Sequence, residues 1–239
     1  QINIKVYMTM TLQEAIMLRH SVRRYVHKPL SAEIVETLRK KIEECNAEGG
    51  LHIQLVTNET RAFTGLFSYG KFSGVENYIV MVGKKADDLD ERVGYYGEQL
   101  VLLAQTLGLN TCWAGLSYRR VDEAYSVGND EKLMCMIALG YGATQGHKRK
   151  SKTAEQVSNV GSDSPEWFRK GVEAVLMAPT AINQQKFSFT LLPQDQGTGE
   201  KPKVLAKRGF SMVGYTKMDL GIARLHFEIG AGTENFDWA

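Results

Sequence analysis

The second half of this chain repeats the order of segments found in the first, and that repetition constrains the fold more than any single motif does. Ser31-Ala32-Glu33 opens a helical pattern that leads through a loop to a strand-like stretch at 51–56. Ser164-Pro165-Glu166 opens another, which leads through Ala178-Pro179-Thr180 to a strand-like stretch at 187–192. Further along, Gly97 to Gly108 encloses an apolar helical segment, and Gly221 to Gly232 encloses one at the same separation. Residue identity between the halves is low, so duplication and coincidence both stay open. Residues 158–164, rich in Ser, Gly, Asn and Asp, read as a linker that divides the chain into 11–157 and 164–239.

Within the first part, Thr11-Leu12-Gln13-Glu14 has the form of a capping box and predicts a helix from Leu12. Ser31 caps a second helix, with Ile34, Val35, Leu38 and Ile42 at helical spacing and Gly49-Gly50 as its stop. Tyr78 to Val82 is a continuous apolar run, as expected of a central strand, and 88–107 reads as a buried helix closed by Gly108. Cys112 to Gly115 and Met134 to Leu139 read as further short strands.

The 239 residues carry 29 Lys and Arg against 27 Asp and Glu, so no global field draws the chain to nucleic acid or to an anionic membrane, and any anion site must be local. Three cysteines without a CxxC pair and five scattered histidines offer no metal spacing and suggest a reduced, cytoplasmic protein. No apolar run approaches the roughly 18 residues of a membrane span, and Gln1 to Met10 lacks the pattern of a secretion signal.

Two basic clusters stand out. Arg19, His20, Ser21 and Arg23 place three basic side chains and a hydroxyl near a helix end, the donor set that holds a phosphate or polyol; a solvated turn is the equal alternative on spacing alone, and the second cluster favours the phosphate. Lys148, Arg149 and Lys150 follow a strand and a Gly-rich turn and can face the same anion; alone they read as a solvated loop. Ala178-Pro179-Thr180-Ala181-Ile182-Asn183-Gln184-Gln185 offers amide and hydroxyl groups suited to a flat heterocycle, or else an ordinary turn. Gly115 and Leu116 offer backbone N–H groups free of side-chain obstruction, or a tight turn. Cys112 reads as a small buried hydrophobe, and His226 as a packed residue of the last helix.

Arg19 to Tyr25, Gly97 to Leu100, Gly108 to Trp113, Gly140-Tyr141-Gly142 with its basic sequel, and the 178–185 stretch together resemble the FMN-dependent nitroreductase family across about Thr11 to Trp238. The resemblance implies an α+β fold with a mostly antiparallel sheet flanked by helices, and a non-covalent FMN. It implies that Arg19, His20, Ser21 and Arg23, with Arg149 and Lys150, hold the flavin phosphate and ribityl chain. Pro179, Thr180, Ala181 and Asn183 would lie at the ring, with Gly115 and Leu116 reaching it through backbone groups. The stretch Ser68-Tyr69-Gly70-Lys71-Phe72 would also reach the flavin, and Tyr69, Phe72 or Phe236 would cover the substrate face. The implied activity takes a hydride from NAD(P)H and passes it to nitroaromatic, quinone or related acceptors in ping-pong order. A flavin binder without turnover and a specialised relative such as a reductive dehalogenase are the alternatives. One departure is informative. Family members carry the ring loop after the helix that follows the Arg-Ser-Arg cluster and build each site across a homodimer, whereas here that position reads Cys45 to Gly50 and the loop stands in the second half. The expectation is a fused pseudo-dimer with one FMN site per chain, as a monomer or a further homo-oligomer.

Overall fold

The computed structural model describes residues 10–65, 71–193 and 199–239. Helix α1, Leu12–Leu18, starts as expected: Thr11 Oγ1 accepts from the Glu14 N–H at 3.2 Å, and the Thr11 N–H donates back to the Glu14 carboxylate at 2.7 Å. Helix α2, Ala32–Gly49, is capped by Ser31 and stopped by Gly50, whose φ of 57° is a conformation that glycine adopts without strain. Strands β1 (Gln54–Val56), β2 (Asn77–Lys84), β3 (Asn110–Ala114) and β4 (Glu131–Gly140) form an antiparallel sheet in the order β1-β2-β4-β3.

The apolar run in β2 has a simple cause, since both faces of the strand are covered. Tyr78, Val80 and Val82 pack with Val22, Tyr25 and Phe63 on one side, while Ile79 and Met81 pack with Leu38, Ile42 and Leu100 on the other. Helix α3, Leu89–Thr106, follows. After the short α4 (Ala154–Val157), α5 (Glu166–Leu176) leads to β5 (Phe187–Leu191) and β6 (Lys203–Arg208), an antiparallel pair; α6 (Thr216–Ala231) leads to β7 (Asp237–Trp238), which runs parallel to β6. The architecture is the expected α+β arrangement of antiparallel sheet and flanking helices.

Several boundaries differ from the sequence reading. Leu51 makes only an isolated bridge to Gly83, so the first strand is shorter than 51–56, and β4 extends beyond Met134 to Leu139 at both ends. Gly97 and Gly221 do not open their helices. Both lie inside them, where glycine permits close packing: a Cβ on Gly97 would stand 2.4 Å from Trp113. At the crossing of α3 and α6 a Cβ on Gly94 would lie 2.1 Å from the Met218 carbonyl oxygen, and one on Gly221 would lie 2.0 Å from that of Glu91. The two helices therefore meet backbone to backbone at the centre of the molecule. Among the described residues no helix is long and apolar enough to cross a membrane.

Candidate functional site

Beyond α1 the chain runs extended and is stitched to its neighbours. The Val22 N–H donates to Thr111 at 3.0 Å, that of Tyr25 to Ser73 at 2.9 Å, and that of Val26 to Tyr141 at 2.9 Å. Val22 and Tyr25 anchor this segment in the core, and the Tyr25 hydroxyl donates to the Val22 carbonyl at 2.6 Å. Ser21 and Arg23 are left facing a cavity. The loop after β4 closes on the same place because residue 146 is glycine: φ is 78°, and a Cβ there would stand 2.6 Å from that of His20. His147, Lys148 and Arg149 thereby join Arg19, His20, Ser21 and Arg23 around a cavity of about 320 Å³ that no carboxylate among the described residues lines.

Arg19 is the deepest of these cations, 5% exposed, with Nε 3.8 Å from Glu98 Oε1 and without a hydrogen-bond partner among the described residues. Glu98, fully buried, accepts from the Trp113 indole N–H at 2.9 Å and lies 2.9 Å from His226 Nε2, whose Nδ1 is 3.0 Å from the Ala174 carbonyl. A carbonyl only accepts, so Nδ1 carries a proton. His226 is thus the packed residue that the sequence suggests, and Cys112 is buried as expected.

Residues 178–185 form the strained part of the site. Ile182, Asn183 and Gln185 have φ values of 46°, 59° and 45°, a conformation that asparagine tolerates but that is uncommon for glutamine and a true outlier for a β-branched residue. Each such residue costs on the order of 1–3 kcal/mol and persists only where its surroundings impose it. Asp219 accepts from the Ala181 N–H at 3.0 Å and the Gln184 amide at 2.6 Å. Arg149 donates to Asn183 Oδ1 at 2.5 Å and to the carbonyls of Leu176 and Ala178 at 2.9 and 2.6 Å. Burial, assisted by the charge of Arg19, brings Arg149 down to about 10, which leaves it charged at neutral pH.

These residues border a second cavity of about 360 Å³, which Ser21, Arg23, Lys71, Gly115, Leu116, Pro179, Thr180 and Ala181 line. The two cavities share Ser21, Arg23, Pro179, Thr180 and Ile182 and so adjoin, one ringed by cations and the other bordered by Trp113, Leu116, Met218 and Ile222; Asn183 borders the cationic one. Arg23 and Asn183, one from each half of the sequence, line the same cavity. Lys150 lines neither cavity; its exposed side chain turns away while its carbonyl accepts from Asn183 Nδ2 at 2.8 Å. Lys148 stands in its place. Phe72 packs on Phe63 with centroids 4.9 Å apart, and Phe236 stacks on Trp167, so neither covers the cavity. Ser68 to Gly70 lie outside the described residues.

The face of α6 that floors the apolar cavity, Tyr215, Met218, Asp219 and Ile222, was not marked from sequence. The available signal was one acid inside an apolar helical stripe. Burial pushes the Asp219 carboxyl from 3.8 up to about 6, against the hydrogen bonds of Ala181 and Gln184. Between these values the folded chain keeps a proton that the unfolded chain has released, so the contribution, complete below about pH 4, is lost as pH rises through about 6, on the order of 3 kcal/mol. The stability difference between Asp219→Asn and the parent, from urea unfolding at about pH 4 and about pH 7, should shift in favour of the variant by roughly that amount. A pH-independent difference would contradict this account.

An α+β sheet protein with a cationic cavity adjoining an apolar one under a strained amide loop is the class that fold and site define. The profile of the family described as "Putative TM nitroreductase" matches residues 11–231, and the chain belongs to that family. A Thermotoga maritima structure described as a "putative nitroreductase" superposes with a TM-score of 0.60 at 24% identity, over 93% of this chain and 84% of that one. Nitroreductase A from Vibrio parahaemolyticus gives 0.51 at 16% identity, over 65% and 78%. A Desulfovibrio desulfuricans protein described as a nitroreductase in complex with FMN gives 0.49 at 16%, over 64% and 96%. No protein of curated function matches.

Proposed function

We propose that this chain is an FMN-dependent oxidoreductase that draws reducing equivalents from NAD(P)H and delivers them to nitroaromatic, quinone or related acceptors in ping-pong order. The observation that carries the reading is the pair of adjoining cavities, one cationic and free of carboxylates among the described residues, the other flanked by Met218, Ile222 and Trp113. The residues fit the cofactor. Arg19 Nε is a buried donor without a partner among the described residues, next to Arg23, Ser21, Lys148 and the charged Arg149, the set that a phosphate satisfies. The cavity beside it, about 360 Å³ and lined by Trp113, Leu116, Met218 and Ile222 with a few polar groups, has the character of a site for a flat ring. FMN, when bound, supplies reversible two-electron transfer.

The chain's own part is to bind, orient and exclude water. Arg19, Ser21, Arg23 and Lys148 take the phosphate end. Pro179, Thr180 and Ala181 present the loop edge, held rigid by Arg149 and Asp219 so that its groups need not reorganise when a ligand charges. Removing one charge-assisted contact costs about 1.5–3 kcal/mol, so Arg23→Ala should weaken FMN binding roughly ten- to a hundredfold in a fluorescence titration. An unchanged dissociation constant would remove Arg23 from the phosphate site. The reading itself is tested by the visible spectrum of the purified protein before and after anaerobic NADH or NADPH. Bound FMN that loses its colour supports it; bound FMN that keeps its colour points to a binder without turnover, and failure to bind FMN overturns it.

A further inference from the structure

The rim of the cavity that Met218 and Ile222 border is unlike the rest of the surface. Leu116, Ile182 and Val213 line this cavity and are exposed as well, the first two by 76 and 78%. The loop between β6 and α6 adds Phe210 and Met212, 83 and 94% exposed. Contacts hold the three segments together. The Gln184 side-chain amide donates to the Gly214 carbonyl at 3.0 Å, the Gly209 N–H donates to the Lys186 carbonyl at 2.6 Å, and a Cβ on Gly115 would stand 2.6 Å from the Tyr215 hydroxyl. Five of the ten large apolar side chains exposed among the described residues thus belong to one rim. Apolar side chains scattered singly over a surface are ordinary, whereas a contiguous patch marks a surface that meets something.

Cations flank the patch. Residues 142–154, 178–192 and 204–218 carry eight Lys or Arg and no Asp or Glu, in a chain whose totals are 29 and 27. Lys150, Lys186, Lys207 and Arg208 are exposed and have no ion-pair partner among the described residues. Their places follow from the backbone. Asn183, next to Ile182, donates to the Lys150 carbonyl at 2.8 Å; Lys186 meets Gly209, next to Phe210; and Lys207 and Arg208 close β6 opposite Ser188 and Phe187.

We propose that this face docks on an anionic lipid bilayer, with Ile182, Phe210 and Met212 entering the headgroup boundary and the cations lying against lipid phosphates and carboxylates. Such a surface selects this combination, because apolar side chains gain by leaving water and the Lys and Arg beside them are drawn to the negative leaflet. The near-even charge of the whole chain confines the attraction to this face. A second copy of the chain is the poorer occupant, since a two-fold contact sets the patch against its own image and brings like charges together. Nucleic acid would take the cations and leave Ile182 and Met212 in water. Docking sets the cavity against the lipid, because Leu116, Ile182 and Val213 belong to rim and cavity alike. On the flavin reading above, on which this last consequence rests, the site then draws its acceptor from those dissolved in the bilayer.

The test is flotation of the purified chain with vesicles of phosphatidylcholine alone and of equal parts phosphatidylcholine and phosphatidylserine. Binding to the phosphatidylserine vesicles should be about tenfold tighter or more, and should weaken in about 1 M salt, which screens charges beyond roughly 3 Å. Phe210→Ser with Met212→Ser should weaken it about tenfold or more, as should Lys207→Gln with Arg208→Gln. Phe210 and Met212 line neither cavity, so the serine variant should keep its thermal transition, and its FMN affinity within about twofold. No binding to the anionic vesicles overturns the inference, and so does binding that survives the loss of Phe210 and Met212, which is adsorption by charge alone. A dimer in native mass spectrometry that the serine variant abolishes, without vesicle binding, gives the face to a second copy and overturns it too. Should the double variant fail to fold, Met212→Ser alone carries the same test with a loss of about threefold or more. With FMN bound, turnover of a long-tailed quinone held in the phosphatidylserine vesicles should fall about tenfold in the serine variant, while that of a water-soluble quinone stays within about twofold. An equal effect on both overturns the acceptor consequence. Flotation needs no flavin, so its failure leaves the flavin reading intact, and failure to bind FMN leaves the docking surface intact.

Discussion

Replacing Glu98 by alanine is expected to lower the stability of the folded chain by about 3–5 kcal/mol, the loss that follows when one partner is removed from a buried ion pair. Three groups depend on this carboxylate: Arg19 at 3.8 Å, the Trp113 indole N–H and His226 Nε2, both at 2.9 Å. In the Glu98→Ala variant the guanidinium would be an uncompensated buried charge and the two ring nitrogens would lose their partner. Most of the penalty is that of stranding Arg19, so Glu98→Ala combined with Arg19→Met should recover a measurable part of it. Urea unfolding of the parent, both single variants and the double variant closes the cycle. A loss below about 1 kcal/mol for Glu98→Ala would mean that water already reaches the cluster.

The second large effect is expected at the helix crossing. Gly221→Ala places a methyl group 2.0 Å from the Glu91 carbonyl oxygen, and Gly94→Ala places one 2.1 Å from that of Met218. Backbone cannot step aside as a side-chain tip can, so α3 and α6 must separate. Overpacking typically costs about 1–3 kcal/mol, and contacts this short put each variant at about 3 kcal/mol or beyond. Because separation relieves both contacts together, the double variant should cost less than the two singles added, by roughly 1 kcal/mol or more. Gly161, which has nothing within 4 Å, is the control, and its alanine variant should stay within about 0.5 kcal/mol of the parent. Strict additivity in thermal or urea unfolding would deny that the two glycines serve one crossing.

Features of the fold that depend on near neighbours were legible in advance. The Thr11 box, the Ser31 cap and the Gly50 stop are each decided within a few residues. The continuous apolar run of β2 announced a strand covered on both faces. In the site, the basic clusters and the 178–185 loop were recognisable from residue type, since guanidinium, hydroxyl and amide groups carry their chemistry with them. Lys148 and Lys150 both stand as candidates in the sequence, and that Lys148 lines the cavity follows from contacts between distant segments, Gly146 against His20 and the Asn183 bond to the Lys150 carbonyl. Phe236, one of three aromatic candidates for the substrate face, packs elsewhere for a similar reason, its ring being claimed by Trp167 and Phe227.

Met218, Asp219 and Ile222 show the boundary most clearly. Their helical spacing marks a buried stripe, yet nothing local distinguishes a stripe that faces a core from one that floors a cavity. That distinction came from the crossing with α3, where two glycines admit backbone contact and set which way α6 turns. By itself, then, the sequence determined the starts of the first two helices, the stop at Gly50, the buried strand and the supply of cations, because backbone geometry and capping act over a turn or two. Only the tertiary structure decided that Arg19 and Arg23 from one half line the same cavity as Asn183 from the other, and that Met218 and Ile222 of α6 border the cavity beside it. Both outcomes depend on packing between residues far apart in the chain, where van der Waals contact between backbones leaves one relative position for the two central helices.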